Sequence, residues 1–270
     1  MNIIITGAAS GIGAAAAKYF IERGHRVYGI DRNVAEGFEG EVFFTADVTV
    51  NDSLTAVADS LTSMDVKLDA IVSVAGVHGM YSLAEDRIED IERLMDINLL
   101  GVMRVCRALH PLLSPRGRIV IVTSEVATYA PLPFNGLYSV SKAALESYAQ
   151  ALRQELNLLG QRVVTVRPGA VATPLSAGSV GATEGLAERT ALYKGQAGKF
   201  ANLTRKFMGK PIAPDKMALT VYRATVARHP RLAYARHRNP GLVMLSLLPR
   251  RMQCGIIRLL LGVDRSTDRE

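Results

Sequence analysis

The sequence predicts an α/β fold: a doubly wound parallel sheet of about seven strands with helices on both faces. Three observations carry that expectation. Short apolar, β-branched runs alternate with runs of helical periodicity as far as residue 167. A glycine-rich turn joins the first such strand to the first helix. Polar and glycine residues gather at the carboxyl ends of the strands, where open α/β sheets bind their ligands. A chain of 270 residues, 49% apolar and 21% charged, can bury one substantial core.

Residues 2–6 form the first strand, and Thr6-Gly7-Ala8-Ala9-Ser10-Gly11-Ile12-Gly13 follows directly, then a helix from Ala14 to Arg23 stopped by Gly24. Strand, glycine turn and helix in that order make a dinucleotide site. Gly7 permits the tight turn, Gly11 lets the backbone approach a pyrophosphate, and Gly13 allows helix to pack on strand. The free N–H groups at the helix start favour the phosphates. The second strand, Arg26 to Ile30, ends in Asp31-Arg32. A carboxylate there accepts hydrogen bonds from the adenosine ribose and repels the extra phosphate of NADP, so NAD is expected. Arg32 keeps NADP as the alternative, since a guanidinium can pair with a 2′-phosphate.

A third strand, Glu41 to Ala46, ends at Asp47-Val48, and a helix runs from Asp52 to Ser63. A fourth strand, Leu68 to Val74, runs into Ala75-Gly76. Asp86 to Leu113 has helical spacing, with Asn98 in its middle and Pro111 near its end. The fifth strand, Arg118 to Thr123, delivers Ser124 at its carboxyl end. Ala143 to Leu159 is helical, and Arg162 to Arg167 is a sixth strand ending in Pro168-Gly169. The segment 170–213 is irregular and reads as one or two short helices forming a mobile flap. A helix from Pro214 to His229, an edge strand from Arg231 to Tyr234, and apolar runs at 242–248 and 252–261 complete the chain. The whole is expected as one domain, with a core at 1–175, a substrate flap at 176–213 and a C-terminal extension at 214–270.

Tyr138 and Lys142 are spaced i, i+4, on one face if the helix includes them. A phenol with a free pKa near ~10 is a poor proton carrier at neutral pH, and an ammonium beside it favours the phenolate. The Ser124 hydroxyl can hold a carbonyl or alcohol oxygen. Together they suit proton transfer between an alcohol and a ketone, given a hydride carrier. The Tyr-Lys spacing alone is common on exposed helices; the dinucleotide turn makes it informative.

Residues 194–270 hold 16 Lys and Arg against 4 Asp and Glu, whereas the first 193 residues are net acidic. A solvated basic surface is the plain reading; attraction to a membrane surface or to an acidic substrate is the less favoured one. Nucleic acid is not expected, because no recognition motif accompanies the charge. His78, near the end of the fourth strand, reads either as a residue at the substrate mouth or, more commonly for a lone histidine, as a surface or core residue. His25, His110, His229, His237 and the two cysteines lack metal-ligand spacing, so no metal is expected. Cys106 and Cys254 sit in apolar runs and are expected as buried thiols. Glu125 reads as a solvent-facing neighbour of Ser124. The start of the chain has no apolar leader, and no run approaches a membrane span, which leads to a cytoplasmic expectation.

These residues, in this order, resemble the short-chain dehydrogenases/reductases over residues 1 to about 175. The motifs are Thr6 to Gly13, Asp47-Val48, Ala75-Gly76, Asn98, Ser124, Tyr138-x-x-x-Lys142, and Pro168-Gly169 with Val171 and Thr173. The resemblance implies a single-domain Rossmann fold and a catalytic tetrad of Asn98, Ser124, Tyr138 and Lys142. It gives Tyr138 the acid–base role, Ser124 the substrate oxygen, and Lys142 the nicotinamide ribose and the tuning of the phenol. Asn98 would anchor a proton-relaying water. Asp47 would meet the adenine, and Thr173 the nicotinamide end. Within the family, Pro131 to Asn135, Ser141 to Glu146, Pro230 to Tyr234 and Leu247 to Arg251 resemble the steroid- and retinol-type branch. Two departures stand out. Ser73-Val74 replaces a pair of asparagines that support the sheet, Ser73 standing in for part of one, and the serine-to-tyrosine interval is one residue longer than usual.

The expected function is therefore an NAD-dependent oxidoreductase for a hydrophobic, steroid-like or other bulky secondary alcohol and its ketone. A non-catalytic NAD(H)-sensing protein is the alternative. A homodimer or homotetramer is expected through the helix after Tyr138, by Ala143, Ala144, Ala149 and Ala151 with Leu145, Leu152, Leu156 and Leu159.

Overall fold

The computed structural model describes residues 1–207 and 209–262. Seven parallel strands form one sheet in the order β3-β2-β1-β4-β5-β6-β7. They are β1 (Asn2–Thr6), β2 (Arg26–Asp31), β3 (Val42–Thr45), β4 (Leu68–Ser73), β5 (Leu113–Val122), β6 (Arg162–Pro168) and β7 (Ala233–Arg236). The strand order reverses between β1 and β4, which opens a crevice there at the carboxyl ends. The helices are α1 (Gly11–Ile21), α2 (Asn51–Ser63), α3 (Ile88–Met95), α4 (Gly101–Leu109) and α5 (Gly136–Asn157). Beyond β6 come α6 (Pro174–Arg189), α7 (Lys194–Phe207), α8 (Pro214–Val226), α9 (Pro240–Ser246) and α10 (Arg250–Leu261).

The continuous apolar run of β1 follows from burial on both faces. Ile4 enters the core formed with α2, α4 and α5, while Ile3 and Ile5 enter the opposite core with α1 and α8. All three are fully buried. Truncating such a side chain to alanine costs about 2–5 kcal/mol. Arg118 at the start of the regular part of β5 is buried, and its guanidinium donates to the carbonyls of Ala224, Thr225 and Ala227. That fork satisfies the last carbonyls of α8 and ends the helix at Val226.

Several boundaries differ from expectation for physical reasons. The helical stretch 86–113 is broken: α3 passes into a π-helical turn at Asp96–Leu100 before α4, and a short 3-10 turn at His110–Leu112 contains Pro111. β5 begins at Leu113, and its register slips before Arg118. α5 begins seven residues earlier than Ala143 and takes in Tyr138 and Lys142. The segment 170–213 contains two full helices rather than irregular chain. Gly178, Gly181, Gly185, Gly195 and Gly198 blur its periodicity. The two helices meet in a cluster of Leu186, Ala197, Phe200, Met80, Phe134 and Leu261.

Three burial expectations are corrected. Cys106 is buried but Cys254 is exposed, on the outer side of α10. Glu125 is buried, not solvent-facing, and its carboxylate accepts the Asn239 N–H at 2.7 Å. Leu145, Ala149 and Leu156 belong to the chain's own core, so the outward face of α5 is narrower than expected.

Candidate active site

The crevice begins at the turn between β1 and α1. Gly7 has φ +72° and Gly11 φ +56°, conformations that favour glycine. A Cβ on Gly7 would lie 2.9 Å from the Ala75 nitrogen, and one on Gly13 would lie 2.0 Å from the Gly7 carbonyl oxygen. Gly13 therefore lets the helix close on its own turn. Ser10 N-caps α1 with extended backbone and no side-chain cap bond, so the first N–H groups of the helix point to the crevice uncapped. The Thr6 hydroxyl accepts from the N–H groups of Val74 and Ala75 at 3.1 and 3.2 Å, which draws the end of β4 to the turn. Ser73 does not replace a sheet-supporting amide: its hydroxyl is buried with no hydrogen-bond partner among the described residues.

Asp31 ends β2, accepting from the Ala9 N–H at 3.1 Å and the Asn33 N–H at 3.0 Å. Arg32 beside it is exposed, and both line the crevice. Asp47 accepts from the N–H and hydroxyl of Thr49, both at 2.8 Å. That N–H bond, with Arg32 and Arg104 farther off, holds its carboxyl below the usual range despite partial burial. The adjoining Val48 side chain packs where a Cβ on Gly101 would be. Across the crevice, Gly169 donates to the Arg236 carbonyl at 2.9 Å, and a Cβ there would lie 1.8 Å from the His237 oxygen. Val171 is buried and bridges to Ile212. Thr173 caps α6 in a reciprocal pair with Ser176, and its methyl lies over Gly11.

Ser124 ends β5 and caps a short 3-10 turn, Glu125–Thr128, accepting from the Val126 N–H at 3.4 Å. Its hydroxyl faces the Tyr138 phenol. The longer serine-to-tyrosine interval is taken up by this turn and by Phe134 at φ +62°, whose carbonyl accepts from Tyr81. Glu146, three residues after Ala143 on α5, fixes the helix to the sheet. It takes both arms of the Arg167 guanidinium at 2.8 and 2.7 Å and the Thr123 hydroxyl at 2.6 Å. Burial opposes its charge, but those partners outweigh it and hold the carboxyl below its ordinary value. The ends of β5 and β6 are thereby locked to α5, which carries Tyr138.

Lys142 is buried, its ammonium donating to the Val122 carbonyl at 3.3 Å and lying 5.8 Å from the Tyr138 ring centroid. Burial pushes Lys142 down to about 8 and Tyr138 up to about 12, the Ser124 hydrogen bond opposing the latter. In the chain alone, burial outweighs the ammonium and the phenol keeps its proton. Asn98, fully buried in the π-helical turn, exchanges bonds with the Val77 main chain at 2.8 and 2.9 Å and donates to the Ser141 hydroxyl at 3.2 Å. It therefore ties the loop after β4 to α5, one turn from the tyrosine.

A cavity of about 2080 Å³ runs from Gly7, Asp31 and Asp47 to Ser124, Tyr138 and Lys142. Ser10, Gly11, Ile12, Arg32, Val48, Ala75, Gly76, Pro168, Gly169, Val171 and Thr173 also line it, whereas Thr6, Gly13 and Asn98 stand behind its wall. Pockets for a single small ligand run to about 1,000 Å³. Beyond the tyrosine the wall is mostly apolar, with Met80, Leu132, Phe200, Leu203, then Leu245 and Ile257 from the tail helices, and Thr183, Thr204 and Arg205 among its polar members. The glycine turn, uncapped helix start and carboxylate at the end of β2 fit a dinucleotide.

One residue that the sequence leaves between the substrate mouth and an ordinary surface or core position lines the cavity. His78 lies with its ring 4.4 Å from that of Tyr138 and its Nε2 3.1 Å from the Asn135 Oδ1. Burial pushes its pKa down to about 4. Its position two residues beyond Gly76 was the available signal, and a lone histidine carries too little to use it.

The family profile described as short chain dehydrogenase matches residues 1–191. A 3-ketodihydrosphingosine reductase of Bacteroides thetaiotaomicron is 33% identical over 171 residues, 62% of this chain and 62% of that one. A serine 3-dehydrogenase of Agrobacterium fabrum is 28% identical over 232 residues, 82% of this chain and 86% of that one. The crystal structure of a short-chain dehydrogenase from Streptomyces avermitilis superposes with a TM-score of 0.74 at 24% identity, covering 96% of each chain.

Proposed function

The chain belongs to the short chain dehydrogenase family, and on that premise we propose that it interconverts a bulky, hydrophobic secondary alcohol and its ketone with NAD. The observation that carries the reading is the Ser124–Tyr138–Lys142 group at the point where the dinucleotide crevice opens into an apolar chamber. Hydroxysteroid-like or other bulky secondary alcohols suit that chamber, in keeping with the motifs at 131–135 and 141–146. The Bacteroides relative is named for a sphingoid ketone, which is of the same hydrophobic kind.

The nicotinamide, when bound, supplies or accepts the hydride. Tyr138 moves the proton at the substrate oxygen, donating it to a forming alkoxide in reduction and accepting it in oxidation. Ser124, held by the turn it caps, donates a hydrogen bond to the same oxygen. Lys142 is placed to hold the cofactor ribose, and its charge offsets a phenolate. Asn98 keeps the loop after β4 and the first turn of α5 in register, and the water it would anchor completes the proton path. Asp31 receives the adenosine ribose and disfavours a 2′-phosphate, with Arg32 as the feature that favours NADP. We assign α6 and α7 as the substrate flap and the outward face of α5 as the self-pairing surface.

The test is turnover of NAD and NADP with a panel of hydroxysteroids, retinol-like and long-chain secondary alcohols, set beside serine and small sugars. Turnover confined to the bulky alcohols supports the reading. Activity only on small polar alcohols would contradict the substrate class. Tight cofactor binding without turnover on any alcohol would favour an NAD(H) sensor.

A further inference from the structure

We propose that the outer face of α9 and α10 seats the protein on an anionic lipid bilayer. The tail helices are apolar on two sides. Ile256, Ile257, Leu260 and Leu261 of α10 line the cavity. On the other side Met252 and Leu259, seven residues apart and so on one stripe, are 52% and 82% exposed. At the end of α9, Met244 and Leu247 are 70% and 79% exposed. Beside the Met252–Leu259 stripe runs a second one at the same spacing, Arg251 and Arg258, also exposed. A solvated helix keeps its apolar residues to one stripe. This one carries a second, flanked by arginines, which is the pattern of a helix lying in a membrane interface.

The charge on these helices decides the occupant. Residues 240–262 carry Arg250, Arg251 and Arg258 and not one Asp or Glu. A second copy pairing two-fold through this face would set these arginines against their own counterparts. An anionic bilayer offers the complementary charge and an apolar layer beneath it. The stems of Arg251 and Arg258 can reach the head groups while Met252 and Leu259 enter the acyl boundary. At 12 residues α10 is about 18 Å long, too short to cross a hydrocarbon core of about 30 Å, so it lies in the plane. No described helix is long and apolar enough to cross a membrane. The inner sides of the same helices wall the chamber, so docking would bring the mouth of the cavity to the lipid. The docking itself stands apart from the reaction proposed above.

The experiment is co-sedimentation of the full chain with vesicles of mixed phosphatidylcholine and phosphatidylglycerol, against pure phosphatidylcholine, at low and at high salt. Binding to the anionic vesicles that falls with salt is expected. Arg251→Gln and Arg258→Gln should each weaken it roughly fivefold, and Leu259→Gln should weaken it by at least a similar factor. All three positions are exposed, and an unchanged melting curve verifies that each variant is folded. No binding at low salt overturns the proposal, as does equal binding to both vesicle types. Binding that these variants leave unchanged overturns it too. So does a concentration-dependent dimer abolished by Leu259→Gln, which would show that a second copy covers the face.

Discussion

The imidazole of His78 packs against the ring of Tyr138, the centroids 4.4 Å apart and the planes inclined by 56°. Asn135, at the entry to α5, receives the His78 Nε2–H, and its carbonyl accepts from the Ser139 backbone and hydroxyl. Three segments are joined in this way: the loop after β4, the turn before α5, and the first turn of α5 that carries the phenol. His78 therefore acts as a positioning residue for Tyr138. Burial keeps it neutral, since its folded pKa of about 4 lies well below the ordinary 6.5.

That depression has a thermodynamic consequence. Between pH 4 and 6.5 the unfolded chain binds a proton that the folded chain does not, so stability falls as pH drops through this window. By pH 4.5 the loss from this residue is on the order of 2–3 kcal/mol. Urea midpoints at pH 7 and pH 4.5 should show a smaller acid-induced loss in His78→Gln than in the wild type. An equal loss in both proteins would remove His78 as its source.

The NAD preference proposed above rests on the end of β2. Asp31→Ala should raise the kcat/KM ratio of NADP to NAD roughly tenfold or more, equivalent to about 1.4 kcal/mol, because a like charge is removed while Arg32 remains. Steady-state kinetics with both cofactors measure it. A wild-type enzyme that already prefers NADP would mean that Arg32 governs the site.

Most of this architecture was legible in the sequence because it rests on local signals. The β1 run, the glycine turn and the strand-end residues Asp31, Asp47, Ser124 and Gly169 follow from periodicity and fixed spacing. What escaped depends on contacts between segments distant in the chain. Glu146 gains its meaning from Arg167 and Thr123, which reach it only once β5 and β6 are side by side. Glu125 is buried because the start of α9 folds over it. Asn98 appears in the sequence as a polar residue in a helix; the π-helical turn and its bonds to Val77 and Ser141 are tertiary. The helices α6 and α7 were obscured by glycines that leave no periodic stripe. The burial that raises the Tyr138 phenol in the chain alone is tertiary too.

Catalysis should depend on pH in opposite senses for the two directions. With Tyr138 at about 12 and Lys142 at about 8, the phenol is protonated at neutral pH and ready to donate. Ketone reduction should hold steady across neutral pH and decline in alkali as the donor is lost. Alcohol oxidation, which needs the phenolate as acceptor, should climb as pH rises. Profiles of kcat/KM in both directions would show this, and an oxidation rate flat from neutral to strongly alkaline pH would speak against Tyr138 as the base.

The central claim, that Tyr138 carries the proton for hydride chemistry, is tested most directly by Tyr138→Phe. Its cofactor dissociation constant and its turnover should be measured side by side on whichever alcohol the wild type oxidises best. The ring and its packing on His78 are kept, and only the hydroxyl is removed. Turnover should fall by about 10² to 10⁴-fold while cofactor binding stays within a factor of about two. Turnover within tenfold of the wild type, with cofactor still bound, would contradict it.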